Sequence, residues 1–402
     1  MIEFEQACEQ IFAHTKRLEC EERMIEAAVN HVLAEDITSP INVSPFRSSA
    51  MDGFAVRSEW LTDCGEGSPL TLLIGRTTFA GDAGASRETS SRAPKIMTGA
   101  IVPGEYDAVV PFEQTEYDEH NVTFRRPIEP GGNVREPGED ITRGQKLYSV
   151  GGQLGPLDIG VLATIGLRKV STIRRPSILI LGTGDELVNP GDKLLEGKIY
   201  DSNTFTLQAL VSPFCEQVER VCGVRDREEE IARALDSSHD IIVTTGGVSA
   251  GERDLVVDMA EAAGWNRVFH KVRIKPGKPI YFATRNKQLL FGLPGNPLST
   301  AVTCSVFLIP ALKKMIGLQD YRLRLQSATL PPEAIRKSGR KLIWPGSIRT
   351  EGGQIVASFS PKKSSAALTA LMGTDGLVFQ SAITGDSTDV KVEVIPWDHI
   401  LK

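Results

Sequence analysis

The sequence predicts a multidomain chain in which a central α/β region lies between β-rich regions. Its 402 residues are more than one ordinary hydrophobic core holds. Between residues 177 and 316, short and wholly apolar runs alternate with helical segments, which is typical of parallel strands joined by helices. Before and after that region, short β-like runs alternate with Gly, Pro and Asp clusters, which indicates small β modules.

The composition of the chain limits the classes of function that it can have. The chain is 41% apolar and 24% charged, and its net charge of −6 disfavours a nucleic-acid binder. An anionic ligand must therefore be held by a local cluster of cations. The six cysteines form no C-x-x-C pair and predict reduced, mostly buried thiols, and the histidines show no zinc pattern. The N-terminus lacks a signal peptide, and no apolar run approaches the roughly 20 residues that span a bilayer. We expect a cytoplasmic protein without a membrane segment.

The first part of the chain predicts helix, then strands, then helix. Residues 1–35 carry apolar residues at helical spacing. Residues 41–140 have the pattern of a β-rich module, and residues 131–144 are a polar loop at its end. The boundary to the α/β region is Arg174-Arg175-Pro176. The predicted elements are strands at Leu70–Ile74, Ala108–Pro111 and Asn121–Phe124 and a helix at Leu154–Ile165.

The central region predicts a parallel sheet with right-handed crossovers, followed by a small β module. The predicted strands are Ile178–Leu181, Gln217–Val221, Ile241–Thr245, Val268–Ile274 and Leu289–Gly292. The predicted helices are Thr204–Leu210, Arg227–Leu235, Asp254–Ala263 and Leu298–Ile316. The predicted C-terminal strands are Leu342–Trp344, Gln354–Phe359 and Val390–Ile395.

Ligands bind open parallel sheets beyond the carboxyl ends of the strands, and three motifs fall there. The first is Gly182-Thr183-Gly184-Asp185-Glu186-Leu187. Its glycines allow close backbone approach, and two adjacent carboxylates suit a hard cation or hydrogen bonds to a heterocycle. The alternative is an ordinary strand-to-loop turn.

The second motif runs from Thr244 to Asp254 and contains Gly246, Gly247 and Ser249. Glycines after a buried strand offer N–H groups in a concave loop, which cradles phosphate-like oxyanions. It is not a Walker loop, because no Gly-Lys-Ser/Thr follows. Asp254 stands where a helix begins, so a helix N-cap is its alternative role.

The third motif gathers positive charge. Lys271, Arg273 and Lys275 share one face if the segment is a strand, and Pro276-Gly277 then brings Lys278 near Lys275. Four such cations repel one another unless an anion binds, although a solvated surface is the alternative. Leu293-Pro294-Gly295-Asn296-Pro297 follows, before a helix whose N-terminus also favours anions.

A fourth segment, residues 45–55, contains Ser49-Ala50-Met51-Asp52-Gly53 and taken alone is a tight turn. Together with the other motifs it closely resembles the molybdopterin molybdenumtransferase family, also called MoeA, which includes the E domain of gephyrin. The resemblance covers about residues 35–316. It is also carried by the following segments: Arg135–Asp140, Thr183–Leu187, Ile199–Asn203, Gly246–Ser249, Lys275–Pro279 and Leu293–Pro297.

The resemblance implies a homodimer of elongated, four-domain subunits with the active site between the α/β domain of one subunit and parts of the other. The implied parts are an N-terminal helix (1–22) packing on the central domain, a linker domain (23–43 and 141–172), the β-rich inserted module (44–140), the α/β molybdopterin-binding domain (173–316) and a barrel-like C-terminal β domain (317–402).

The implied activity is Mg²⁺-dependent insertion of molybdate into adenylyl-molybdopterin, with release of AMP. The implied partners are these two substrates, a second subunit and a molybdopterin adenylyltransferase. Carried over by motif, the catalytic residues are Asp52, Asp140, Asp185, Glu186, Asp254 and Lys275, with Mg²⁺ at Asp185, Glu186 and Asp254. The substrate-binding residues are Thr98, Thr183, Gly184, Asp201, Ser202, Gly246, Gly247, Ser249, Lys271, Lys275, Lys278, Pro279, Pro294, Pro297 and Ser364.

The C-terminal module departs from the family. Members usually carry an arginine in a Phe-x-Arg context, where this chain has Leu342-Ile343-Trp344-Pro345; Arg340 or Lys341 is the candidate substitute. Two other functions stay open. A stand-alone molybdopterin adenylyltransferase is about one domain long, and a gephyrin-like non-catalytic scaffold needs neither Asp185 and Glu186 nor the lysines. A dinucleotide-binding enzyme is disfavoured, because no G-x-G-x-x-G follows the first strand of the sheet.

Overall fold

A computed structural model of the chain describes residues 1–82, 92–224, 228–248, 255–383 and 390–401. In its first 175 residues the short strands outnumber the helices. The elements are α1 (Phe4–His14), β1 (Cys20–Met24), β2 (Ile37–Thr38), β3 (Ser48–Ser49), β4 (Gly53–Val56), β5 (Leu70–Ile74), β6 (Arg92–Ala93), β7 (Lys95–Ile96), β8 (Ala108–Pro111), β9 (Thr115–Tyr117), β10 (Asn121–Phe124), β11 (Val134–Arg135), β12 (Lys146–Tyr148), α2 (Pro156–Thr164) and β13 (Lys169–Ile173).

The N-terminal prediction is correct only for the first helix. The apolar face of α1 (Phe4, Ala7, Ile11 and Phe12) is buried in the same core as the central sheet. Residues 15–35 contain no α-helix, because the backbone of β1 pairs antiparallel with β13 instead and is followed only by a short 3₁₀ turn, Ile25–Ala27. Its side chains alternate in exposure, and the helical spacing of Met24–Val32 was a coincidence of composition.

Two parts of the chain that are distant in sequence share one small core. Residues 28–37 pack with residues 141–170, and β2 pairs with β12. The shared core consists of Ala28, Leu33, Ile37, Ile141, Leu154, Leu162, Ile165 and Val170.

Residues 44–140 form the predicted β-rich part. Three small sheets have the strand orders β6-β5-β10-β9, β7-β4-β8 and β11-β3. Phe54 lies at the centre, with its ring edge-on to Phe112, Tyr117 and Phe124. The three predicted strands of this region are confirmed with the same bounds.

The central region alternates strands and helices, as predicted. Its elements are β14 (Ser177–Thr183), β15 (Leu187–Val188), β16 (Ile199–Tyr200), α3 (Asn203–Val211), β17 (Gln217–Val224), α4 (Glu228–Leu235), β18 (Ile241–Thr245), α5 (Leu255–Ala262), β19 (Asn266–His270), β20 (Ile274–Lys275), β21 (Tyr281–Arg285), β22 (Gln288–Leu293), α6 (Pro297–Thr303) and α7 (Ile309–Met315).

The central sheet is mixed rather than wholly parallel. Its order is β17-β14-β18-β22-β21-β19, and only the first four strands are parallel. The antiparallel strand β21 was not predicted, and it pairs with both β22 and β19. The strand predicted at Val268–Ile274 is also wrong, because β19 ends at His270 and Lys271 takes a left-handed backbone conformation with φ 73°.

Helices α6 and α7 are joined by a π-helical segment, Cys304–Leu308, into one apolar helix of 19 residues. By length and composition it could cross a membrane, but 94% of its most apolar window is buried inside the protein. Such burial is typical of the core helix of a globular domain.

The C-terminal region forms a second mixed sheet. Its elements are β23 (Gln326–Ala328), β24 (Lys341–Glu351), β25 (Gln354–Phe359), β26 (Gly376–Gln380), β27 (Val392–Pro396) and α8 (Trp397–Leu401). The strand order is β20-β24-β26-β27-β23, and β25 pairs with β24. Thr329, directly after β23, also exchanges backbone hydrogen bonds with Ile355 and Ala357 of β25. Strand β26 was missed by the sequence analysis, and the barrel-like shape stays a prediction.

The six cysteines are free thiols. The expectation that most are buried is wrong, since only Cys215 and Cys304 are buried and Cys20 is exposed.

Candidate functional site

Three parallel strands end together at one edge of the central sheet. Gly182 of β14 pairs with Thr245, the last residue of β18, and Thr245 pairs with Leu293, the last residue of β22. We call this edge the strand-end cleft, defined by Thr183–Glu186, Thr245–Gly247 and Pro294–Gly295. Of the three motifs that the sequence placed beyond strand ends, the first and the second therefore meet here. The Pro294–Pro297 turn that follows the third motif lies beside them.

Short polar contacts hold the strand-end cleft together. The Thr183 hydroxyl donates to the carbonyl oxygen of Thr245 at 3.3 Å, and the Thr245 hydroxyl donates to that of Pro294 at 3.2 Å. The Asn203 amide, at the start of α3, donates to Thr245 Oγ1 at 2.9 Å and to the Gly295 carbonyl at 2.7 Å. Asn203 Oδ1 is buried, and no residue that the structure describes forms a hydrogen bond with it. Because buried polar atoms are normally paired, this oxygen is available to a ligand.

Glycine is required in the wall of this cleft. Gly246 has φ 98°, and a Cβ there would lie 2.7 Å from Thr183 Oγ1. Gly247 has φ 66°, and its Cβ would lie 2.6 Å from Val256 Cγ2. The left-handed conformation and the close approach both exclude a side chain. The wall is therefore bare backbone, which is what a phosphate-like group requires for close contact.

Two carboxylates stand at the mouth of the cleft. Asp185 and Glu186 directly follow β14 and are both exposed. Gly184 has φ 138°, and the Glu186 carboxylate occupies the space of its missing Cβ, 2.6 Å away. Lys198 Nζ donates to the Asp185 carbonyl oxygen at 2.5 Å, which ties the loop to β16.

The donor set suits Mg²⁺ rather than zinc. Among the described residues, no group of three or more His, Cys, Asp or Glu side chains could hold a metal ion. Mg²⁺ is commonly bound through one or two carboxylates plus substrate phosphates and water, and Asp185 and Glu186 provide this number of oxygen ligands. Asp254, the third predicted ligand, lies outside the described residues, as does Ser249.

Asp201 has a structural role in the free chain. It is 1% exposed, its Oδ1 accepts the Thr204 backbone N–H at 3.0 Å, and its Oδ2 accepts the Thr204 hydroxyl. These bonds cap the N-terminus of α3. Ser202 is half-buried beside it, and its carbonyl oxygen accepts from Thr206. The predicted substrate contact of both residues stays a prediction.

Lys275 belongs to a different part of the fold than expected. Strand β20 pairs parallel with β24, so that Lys275 lies opposite Leu342 in the C-terminal sheet. Its side chain lines a cavity of about 510 Å³ between that sheet and residues 333–338, which we call the Lys275 cavity. Three further cations line it: Arg336, Lys337 and Lys363.

The four cations of the third motif do not share one strand face. Lys271 is half-buried in the left-handed turn, and Arg273 forms an ion pair with Glu3 at 2.9 Å. Lys278 is exposed and Pro279 is half-buried, and neither lines the Lys275 cavity. The prediction failed because the segment is a turn between two sheets instead of one continuous strand.

Helix α6 starts beside the strand-end cleft and contacts the two segments that carry Lys275 and Lys363. Pro294 and Pro297 frame its start, where Asn296 Nδ2 donates to Ser365 Oγ at 3.2 Å. The Leu298 backbone N–H donates to the Ser365 carbonyl oxygen at 3.1 Å. Ser364, a predicted site residue, therefore lies in a segment docked on this helix end, next to the cavity residue Lys363.

The predicted residues of the β-rich module form a separate group. Asp52 Oδ1 accepts from the Thr98 backbone N–H and from its hydroxyl, each at 2.7 Å. These two bonds lower the pKa of Asp52 and keep it ionised. Asp140 is exposed at the end of the same module. The structure thus joins Asp52 to Thr98, but their hydrogen bonds stay within the module.

Comparison with known proteins identifies the family. Residues 2–166 match the family model described as MoeA N-terminal region (domain I and II), and residues 179–314 match the probable molybdopterin binding domain. A molybdopterin molybdenumtransferase of Haemophilus influenzae is 34% identical over 94% of both chains. One from Staphylococcus aureus is 33% identical over 76% of this chain and 74% of its own length. A crystal structure of the molybdopterin biosynthesis MoeA protein from Pyrococcus horikosii is 29% identical, with a TM-score of 0.83 over 98% of this chain and 99% of that chain.

The chain belongs to the MoeA family. The family resemblance seen in the motifs is therefore confirmed.

The structure explains how this member of the MoeA family departs from the Phe-x-Arg pattern. If Trp344 stands for the phenylalanine, Gly346 stands for the arginine, and a Cβ there would collide with the Ser358 carbonyl oxygen. Neither candidate substitute lines the Lys275 cavity. Arg340 donates to the Ile274 carbonyl oxygen at 3.1 Å, and the Lys341 ammonium is paired with Glu5.

Sequence reasoning missed Asn203, Arg336, Lys337 and Lys363. Asn203 stood inside a motif that already matched the MoeA family, and its position at a helix start beside strand ends was a usable signal. The basic run Arg336-Lys337 had no such signal. It lies more than 60 residues from Lys275, and nothing local distinguishes it from a solvated loop.

Proposed function

We propose that this chain inserts molybdate into adenylyl-molybdopterin in a Mg²⁺-dependent reaction that releases AMP and yields molybdenum-loaded molybdopterin. The observation that carries the proposal is the presence in one chain of a glycine-walled cleft and of a cavity lined by four cations. The first suits the phosphate groups of an adenylylated ligand, and the second suits a tetrahedral dianion. The curated relatives named molybdopterin molybdenumtransferase support this assignment.

At the strand-end cleft, the backbone of Gly246 and Gly247 would position the phosphoanhydride. Asp185 and Glu186 would hold Mg²⁺, which supplies charge neutralisation to the phosphate oxygens. Phosphoryl chemistry depends mainly on such positioning and electrostatics. Asn203 Oδ1 would accept a hydrogen bond from the bound ligand.

In the Lys275 cavity, the oxyanion would be held by ammonium and guanidinium groups. The sulfur ligands of molybdenum come from the pterin dithiolene, so the protein itself requires no cysteine or histidine cluster. This division agrees with the donor types of the cavity, in which cations dominate and Glu333 is the carboxylate that lines it.

We further propose that the enzyme acts in the cytoplasm as a homodimer and receives its substrate from a molybdopterin adenylyltransferase. The position of Asp52, Thr98 and Asp140 supports a dimer, because they lie on the β-rich module and no hydrogen bond or ion pair among the described residues joins them to the strand-end cleft of their own chain. A second subunit can supply them to the strand-end cleft.

Purified protein supplied with adenylyl-molybdopterin, Mg²⁺ and molybdate tests the proposal. We expect AMP and molybdenum-loaded cofactor to form together, and chelation of Mg²⁺ to stop both. Consumption of ATP and unmodified molybdopterin would instead identify an adenylyltransferase. Binding of ligands without turnover under any of these conditions would leave a non-catalytic scaffold.

A further inference from the structure

The Lys275 cavity contains an excess of unpaired positive charge. Lys275, Arg336, Lys337 and Lys363 all line it, and Glu333 is the lining carboxylate. Of the residues that the structure describes, none forms an ion pair within 4.0 Å with any of these four cations. Like charges that share one concave surface repel one another, and a bound anion removes this cost.

A nearby groove provides the comparison. It lies between α1 and the C-terminal sheet and is also lined by basic residues. There each cation has a carboxylate partner: Lys341 pairs with Glu5, Arg322 pairs with Glu9, and Lys391 pairs with Glu393 at 2.8 Å. The basic residues of the groove are therefore neutralised by carboxylates of the same chain. Those of the Lys275 cavity form no ion pair with any residue that the structure describes.

Arg336 is the most rigidly held of the cavity cations. Its guanidinium lies 4.5 Å from the ring centre of Phe359 and 5.4 Å from that of Trp344. One terminal nitrogen donates to the Ser360 carbonyl oxygen at 2.7 Å. The buried Gln380 side chain binds both the N–H and the carbonyl oxygen of Arg336, at 3.0 Å and 2.6 Å.

Two neighbouring cations of the cavity, Lys363 and Lys275, are also held in place. Trp344 donates its indole N–H to the Lys362 carbonyl oxygen at 3.0 Å, which fixes the segment carrying Lys363. Lys275 is fixed through the pairing of β20 with β24. Trp344 thus lies beneath Arg336 and also anchors the segment of a second cation.

We propose that Arg336 binds the tetrahedral oxyanion substrate in the Lys275 cavity, as the guanidinium ligand from the C-terminal domain opposite Lys275. A guanidinium held against two rings retains free N–H donors in a fixed plane, which suits two oxygens of one oxyanion. This inference rests on the proposed function. It adds that the oxyanion specificity of this chain depends on residues 333–338, since β24 has no room for an arginine at Gly346.

Two sources of oxyanion share this chemistry, namely free molybdate and the phosphate of the adenylyl group. Isothermal titration of the full-length protein with sodium molybdate, and separately with AMP, distinguishes them. We expect Arg336→Gln to weaken molybdate binding about 10- to 100-fold, and Arg336→Lys to weaken it less, because an ammonium keeps the charge without the bidentate geometry. AMP affinity should be unchanged in both variants.

Arg349→Gln is the matched control, because Arg349 is exposed on strand β24 of the same sheet, does not line the cavity, and its loss changes the net charge equally. Its molybdate affinity should stay within about twofold of the wild type. Circular dichroism checks that each variant is folded.

If Arg336→Gln is folded and binds molybdate as the wild type does, while Lys275→Ala does not, the role of Arg336 is refuted and the proposed function stands. If Arg336→Gln loses AMP affinity instead, molybdate is refuted as the occupant. If the wild type binds molybdate but produces no AMP from adenylyl-molybdopterin, the proposed function fails independently.

Discussion

Replacing Asn203 by alanine separates the stability of the strand-end cleft from its ligand binding. The amide group of Asn203 donates to Thr245 Oγ1 and to the Gly295 carbonyl oxygen. Each neutral hydrogen bond contributes about 0.5–1.5 kcal/mol to stability. The loss is limited in Asn203→Ala, because Thr245 Oγ1 keeps its bond to Pro294 and the exposed Gly295 can be solvated.

The unpaired Oδ1 of Asn203 has the opposite effect on the stability of the variant. A buried acceptor without a partner costs about 1–3 kcal/mol, and Asn203→Ala removes it. The gain and the loss are of similar size, so we expect the free energy of unfolding to change by less than about 1 kcal/mol. With ligand bound, Oδ1 is paired, and its removal leaves a ligand donor without an acceptor. We therefore expect binding of adenylyl-molybdopterin to weaken by about tenfold or more.

Urea denaturation followed by circular dichroism measures the stability, and the KM for adenylyl-molybdopterin reports the binding. Asn203→Asp is the comparison variant, because it keeps Oδ1 but puts a carboxylate oxygen against the Gly295 carbonyl oxygen. It should be less stable than Asn203→Ala at neutral pH. A loss of about 3 kcal/mol in Asn203→Ala with an unchanged KM would show that the amide is purely structural and that Oδ1 does not contact the ligand.

Two further expectations concern the domain boundary and the dimer. Burial acts to raise the pKa of Asp240, but hydrogen bonds from Arg174 and Ser177 outweigh it and lower that pKa. The stabilisation is therefore complete above the unfolded value of about 3.9 and is lost as the pH falls through the folded value. Arg174→Ala should cost about 1–2 kcal/mol at pH 7 and move acid unfolding to higher pH, as pH titrations of circular dichroism would show; an unchanged midpoint would contradict this. Mixing inactive Asp52→Ala and Lys275→Ala subunits should restore about a quarter of the wild-type activity if the two residues act across a dimer interface, whereas no recovery after subunit exchange would place them in one subunit.

The sequence predicted local structure best where burial is complete. Strands β14 and β18 are buried along almost their whole length and contain apolar runs, and their positions were predicted correctly to within two residues. Apolar runs of this kind can be recognised in the sequence because both faces of the strand are covered. The strand-end cleft followed from them, since a strand that ends in glycine and polar residues predicts its own position at the sheet edge.

The features that the sequence did not predict depend on contacts between segments that are distant along the chain. The change of direction at Lys271 comes from a left-handed residue that no pattern marked, and it moved Lys275 from the central sheet to β24. Arg336 meets Lys275 only because β24 and residues 333–338 fold around the same cavity. Charge patterns in a sequence do not show which cations will be paired, so the cavity and the paired groove beside α1 looked alike.

The spacing of the two halves of the site is set by α6. The turn before the helix forms the edge of the cleft through Pro294, whose carbonyl oxygen also accepts from the Thr300 hydroxyl of α6 at 2.5 Å. Its last residue, Thr303, packs against Gly277, where a Cβ would collide with the threonine side chain. The rise from Pro297 to Thr303 is about 9 Å along the helix axis. Residues 298–303 are all buried, so this distance cannot change without unpacking the core. The helix therefore holds Pro294 at the cleft and Gly277, in the turn that carries Lys275 and Lys278, at a fixed separation, and a ligand that uses both the cleft and this turn must match that separation.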